Sequence, residues 1–197
     1  MDHQQVQQDL AIIKDMIEKT KKETADSGYF FIGLGLLSIL CVIVISFLEY
    51  KSMEHLVVPM FLVMFFASGA IGYFTVNRRE QKDKVKSYPK TICYSVWFAC
   101  SVPVVITGFL LPMLKVIPYS LVPVLTTLIL GIGVFATGVI FESRYIYWSS
   151  AFWWGGAVAI ALVPGYGRAF IMVGILLFGW VLPGIILNRQ YKKYGAR

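Results

Sequence analysis

The chain has 197 residues, 57% hydrophobic and 15% charged, with a net charge of +7 and a mean hydropathy of +0.69. Soluble domains carry about 25% charged residues; here the few charges sit in short clusters, which excludes a single aqueous globule and makes lipid the expected solvent. The basic excess lies beside apolar runs, so it reads as a topology signal and a contact to anionic headgroups, not as a nucleic-acid surface.

The first 27 residues are polar and include six acids. A cleavable signal needs a short basic leader, so none is expected. Val6, Leu10, Ile13 and Ile17 recur at spacings of four, three and four, which puts them on one helical face. Asp15–Lys19 and Glu18–Lys22 are favourable i, i+4 pairs on the polar side. An amphipathic cytoplasmic helix is therefore expected over residues 1–27. Its stripe has three places to be buried: the membrane interface, the protein's own membrane domain or a second copy, or a different cytoplasmic or membrane protein. Its mixed charge disfavours the first.

A hydrocarbon core of ~30 Å needs about 20 helical residues. Charge-free stretches of that order occupy residues 29–48, 56–76, 91–114, 119–141, 145–163 and 169–187. They do not alternate as barrel strands do. The expected fold is an all-α membrane protein: a bundle of six transmembrane helices over residues 28–190, with a basic tail at 191–197.

Orientation follows from lysine and arginine. The N-terminal segment holds Lys14, Lys19, Lys21 and Lys22, and the connector after the second span holds Arg78, Arg79, Lys82, Lys84, Lys86 and Lys90. The fourth connector adds Arg144, and the tail adds Arg189, Lys192, Lys193 and Arg197. The opposite side has only Lys51, Lys115 and Arg168. By the positive-inside rule both termini are cytoplasmic. The connector 78–90 is the strongest basic patch, a headgroup anchor or a partner contact; it lacks the glycine-rich loop that cradles phosphate.

The spans hold no Asp, Glu, Lys, Arg or His away from their ends. Intramembrane ionisable groups mark proton relays and coupled transport, so their absence argues against both and against acid–base catalysis in the membrane. Glu142 stands at a span end, where Arg144 can pair with it, and His3 and His55 fall on opposite sides. Cys41, Cys93 and Cys100 lie in apolar runs and read as packing residues. No catalytic residue, cofactor or metal is expected.

Small residues at four-residue spacing let helices approach closely in lipid. Ser68 with Gly72, and Ala151 with Gly155 and Ala159, have that spacing; contact within the bundle is the ordinary reading and a homodimer interface the sharper one. Pro59, Pro103, Pro123 and Pro183 fall in or near the spans, where kinks form. Trp148 suits an interfacial aromatic belt, whereas Trp153 and Trp154 sit deeper and read as bundle packing.

The stretch Asp9-Leu10-Ala11-Ile12-Ile13-Lys14-Asp15-Met16-Ile17-Glu18-Lys19-Thr20, then Ser27-Gly28-Tyr29-Phe30-Phe31, resembles the start of an uncharacterised family of bacterial six-span inner-membrane proteins. Gly138-Val139-Ile140 and Leu182-Pro183-Gly184-Ile185-Ile186-Leu187 are similar to the later spans of that family. The resemblance covers the whole chain and implies a protein of the bacterial cytoplasmic membrane without known catalytic residues. Such proteins accompany small winged-helix transcription regulators, which implies a sensing or partner-binding role. The expectation is thus a non-enzymatic membrane protein acting through protein–protein contacts, with a small passive transporter or channel as the alternative.

Overall fold

The computed structural model describes residues 12, 28–51, 53, 56–80, 88–165 and 167–195. Among these residues the regular structure is entirely helical. In chain order, α1 is Gly28–Tyr50, α2 Val57–Glu80, α3 Tyr88–Val105, α4 Val122–Ile140, α5 Arg144–Leu162, α6 Gly167–Leu176 and α7 Leu182–Gly195. A π turn at Ile106–Leu110 carries α3 into a short helix, Leu111–Met113, and a second π turn at Leu177–Val181 joins α6 to α7. A 3-10 turn, Tyr119–Leu121, opens α4.

Four helical stretches are long and apolar enough to cross a bilayer: Phe31–Tyr50, Thr91–Met113, Tyr119–Ile140 and Gly167–Arg189. Within α2 the apolar part described is shorter, Pro59–Ile71. Helix α5 is less hydropathic than those four, and its position explains why. It is the central helix, paired along its length with α4 on one side and with α6, the second π turn and α7 on the other. Ile146, Ser149, Ser150, Trp153, Ala157 and Ile160 are buried; they recur at helical spacing and form one stripe. That stripe holds Ser149, Ser150 and Trp153 against protein, while Trp148 and Trp154 lie on the exposed side of the helix.

Both π turns have the same local cause. Each is followed by Leu-Pro, and each proline stands four residues after a glycine: Gly108 to Pro112 and Gly179 to Pro183. A helical proline has no N–H to donate and its ring crowds the carbonyl four residues back. The ladder slips to i→i−5, with Leu111 N–H donating to Ile106 O and Leu182 N–H to Leu177 O.

The tight links also follow from backbone chemistry. At the end of α4, Glu142 N–H donates to Val139 O and Ser143 N–H to Gly138 O, with Glu142 left-handed at φ 50°. The paired bonds form a Schellman cap. Lys115 N–H and Val116 N–H repeat the pattern onto Pro112 O and Leu111 O, with Lys115 at φ 57°. At the opposite end of α5 from Arg144, Arg168 joins three elements by donating from Nε to Val163 O at 2.9 Å and from Nη1 to Ser120 O at 3.3 Å.

Helix α1 packs on α7 and α6, α2 on α1, and α3 on α4. The α1–α7 contact is set by two glycines: a Cβ on Gly28 would lie 2.7 Å from Gly184 O, and one on Gly184 equally close to Gly28 O. Helix α7 runs unbroken to Gly195, so the tail expected from residue 191 onward is not marked off by a break in the helix.

Candidate functional site

The expected docking stripe, Val6, Leu10, Ile13 and Ile17, lies outside the described residues, as do Lys82, Lys84 and Lys86. Arg78, Arg79 and Gly72 occupy helical positions in α2, and Lys90 one in α3, with side chains outside the described set. Ser68 is half-buried.

The small-residue stripe expected to serve helix contacts, within the bundle or with a second copy, lies on the outer side of α5. Ala151 and Gly155 are exposed, Ala159 is half-buried, and a Cβ on Gly155 would meet nothing within 4 Å. The glycine that faces the protein is the neighbour, Gly156, which packs against the Ile175 side chain. One residue is a rotation of 100°, and it turns the predicted stripe outward.

Two features stand out in the described bundle. The first is a polar aromatic cluster in the core. Trp97 Nε1 donates to Thr137 Oγ1 at 3.0 Å, and Thr137 Oγ1 donates to Gly133 O at 2.7 Å. Cys93 Sγ approaches the same hydroxyl at 3.9 Å. Beside this network the Trp97 and Trp180 rings lie 6.3 Å apart and Trp180 and Trp153 5.1 Å apart, both pairs tilted. Trp153 Nε1 and Trp180 Nε1 have no hydrogen-bond partner among the described residues. The hydroxyls of Thr126, Ser149 and Ser150 donate to carbonyls of their own helix, Val122 O, Ile146 O and Tyr147 O, while Thr127 Oγ1 approaches Met172 Sδ at 3.9 Å. That pattern satisfies them in an apolar interior without a ligand.

The cluster offers chemistry for packing rather than for reaction. Its one shared hydroxyl has its proton committed to Gly133 O, and no carboxylate, imidazole or amine lies in the contacts that build it. Among the described residues no three His, Cys, Asp or Glu side chains gather as a metal site would require.

The second feature is a groove of about 350 Å³ on the outer face, between α5 and the π turn with α7. One wall is Arg144, Trp148 and Phe152, and the other is Phe178, Leu182 and Ile186. Phe152 and Phe178 stack at 5.5 Å and 20° between planes. Glu142 and Arg144, close enough in sequence to pair, form no ion pair among the described residues.

The sequence signals for both features were thin. Thr137 stands in an apolar run, and nothing in its neighbourhood points to Trp97, forty residues away. Arg144 and Arg189 carried a topology signal only. In comparisons with known proteins, no family model, curated protein or solved structure matches the chain.

Proposed function

We propose that the chain is a non-enzymatic, multi-pass protein of a bacterial cytoplasmic membrane, acting through protein–protein contacts as a sensor, accessory or scaffold subunit. In this reading it crosses six times with both termini inside. Helices α2 and α5 join the four more apolar stretches as spans, because protein contacts cover much of α5 and the positive-inside balance needs an even number.

The observation that carries this reading over a passive transporter is the filled interior. Trp153, Ile146, Ile160, Val134, Thr127 and Thr137 are each less than 2% exposed between α4, α5 and α6. A solute path along the centre of these helices would have to displace them. Partner contacts therefore fall to the outer faces and to the cytoplasmic segments, with residues 1–27 and the 78–90 connector as the primary surface. The outward Ala151, Gly155 and Ala159 face supports a second copy as one of those partners.

The test is affinity purification of the full chain in mild detergent, with and without residues 1–26. A specific partner recovered only with the intact chain supports the reading, and equal recovery from both refutes docking through the N-terminal helix. Reporter fusions at Lys51, Lys84 and the C-terminus check the topology; an external signal at Lys84 overturns it. Solute flux into proteoliposomes containing the purified protein would favour transport instead.

A further inference from the structure

We infer that the groove between α5 and α7 is a binding site for an anionic phospholipid, with one acyl chain lying along the groove and the phosphate held by Arg144 and Arg189. This rests only on the chain being embedded in a bilayer, not on which partner it binds.

The groove is polarised along its length. Arg144 opens α5 and forms one end of the wall, while the stacked Phe152 and Phe178 rings lie eight residues further along. At 1.5 Å per residue that separation is about 12 Å. It compares with roughly 15 Å for the hydrocarbon depth of one leaflet, half of the ~30 Å core. A single acyl chain entering beside Arg144 therefore fits the run of the groove.

Lateral access favours the same occupant. Trp148 is 68% exposed, Phe152 and Phe178 51% each, and Leu182 44%. An apolar channel open along its side to the surroundings takes its ligand from the bilayer. The second π turn contributes directly, because Phe178 belongs to it and Leu182 and Pro183 follow it immediately. Without the slipped register, Phe178 would stand at a different angle to Phe152.

Charge selects the headgroup. Leu182, Ile186 and Arg189 follow one another at spacings of four and three along α7, which sets them on one face. Arg189 is exposed one turn beyond Ile186, at the same end of the bundle as Arg144, since α5 and α7 run in opposite directions. No carboxylate lines the groove; Glu142 is exposed in the turn before Arg144 and takes no part in its walls. Trp148 supplies the amphipathic ring that favours the headgroup level. Arg144 lines the slot and Arg189 stands one turn beyond Ile186; guanidinium binds phosphate bidentately, and two of them at this end match a phosphate whose acyl chain lies in the slot.

The test is native mass spectrometry of the full-length protein in mild detergent, titrated with phosphatidylglycerol or with phosphatidylcholine of the same acyl chains. Wild type is expected to retain one phosphatidylglycerol in preference to phosphatidylcholine. R144Q and R189Q should each reduce that retention about fivefold, the effect of one basic residue at a headgroup, and leave phosphatidylcholine unchanged. L182W keeps both cations but fills the slot, and should weaken both lipids. Circular dichroism and gel filtration confirm the fold of each variant; if L182W misfolds, the two arginine variants at exposed positions decide alone. Equal retention of the two lipids by wild type, or of phosphatidylglycerol by wild type and both arginine variants, overturns the site. A lower oligomeric state in L182W with lipid retention unchanged overturns it too, assigning the groove to a second copy. A protein that stays dispersed without detergent and carries no lipid refutes the membrane reading itself.

Discussion

Adding one methyl group at Gly138 should separate the two most extensively paired helices of the bundle. A Cβ there would lie 2.5 Å from Tyr147 N and 2.6 Å from Tyr147 Cα. Carbon atoms rest at about 3.5–4.0 Å, so α4 and α5 must part by roughly 1 Å, and the obstacle is backbone that no rotamer change can move. A gap of that size forfeits a quarter to a half of each dispersion contact across the interface. The tilted Phe135–Tyr147 and Phe135–Trp154 ring contacts, at 4.8 and 5.6 Å, lie in that interface. Gly138→Ala is expected to cost about 2–3 kcal/mol, the upper part of the overpacking range. Gly155→Ala is the matched control, because its Cβ would meet nothing within 4 Å. Helix propensity alone should make it neutral or stabilising by up to ~1 kcal/mol. Reversible unfolding of the full chain in mixed detergent and dodecyl sulfate micelles, followed by circular dichroism, gives both values. Gly138→Ala within ~0.5 kcal/mol of wild type, the range of an unremarkable surface change, would refute the packing argument. So would an equal loss at Gly155.

Three further outcomes can be read in the same assay or beside it. Thr137→Val removes the acceptor of Trp97 Nε1, a half-buried indole, at an expected cost of about 1 kcal/mol; Thr137→Ser keeps the hydroxyl and should recover most of it. Glu142→Gly relieves a left-handed residue at φ 50° and should stabilise by about 1 kcal/mol, whereas Glu142→Val, β-branched at the same φ, should destabilise; the opposite order would show that the cap does not govern this turn. Gly155→Leu should leave the unfolding free energy of the monomer within ~0.5 kcal/mol while abolishing any dimer measured by light scattering, and a dimer that survives it uses another face.

The helical stretches were legible in the sequence because a bilayer demands long uncharged segments, and α1 through α7 overlie the six apolar runs. Much less legible was which side of each helix meets protein. In water, an apolar face is the buried face, and periodicity reveals it. In lipid, the tails are as apolar as leucine, so the outward face carries the same residue types as the inward one. Leu36, Leu40, Ile43 and Phe47 on α1 make the point: they recur at helical spacing, yet each is more than half exposed. Gly155 and Gly156 sharpen it further, since one is open and the other is pressed against Ile175.

What distinguishes the inward face here is intolerance of volume and a scatter of polar atoms, not hydrophobicity. The glycines at true close approaches, such as Gly28, Gly138 and Gly184, fall in no regular four-residue series. Each instead sits opposite a particular backbone segment on another helix, a relation that exists only once the helices are placed. Ser149, Ser150, Thr126, Thr127 and Thr137 all lie on the buried side of α5 and α4, whereas the aliphatic residues divide between buried Val134, Ile146 and Ile160 and exposed Ile132, Val139 and Val158. The hydroxyls can be satisfied by their own helix on either face, so burial of these groups reflects the advantage of small side chains where helices meet. A stripe of Ser, Thr and Gly at helical spacing is therefore the stronger sequence marker of a side that faces the rest of the chain, whereas the series Ala151 and Gly155 on α5 shares the spacing and lies one residue out of phase, on the open side.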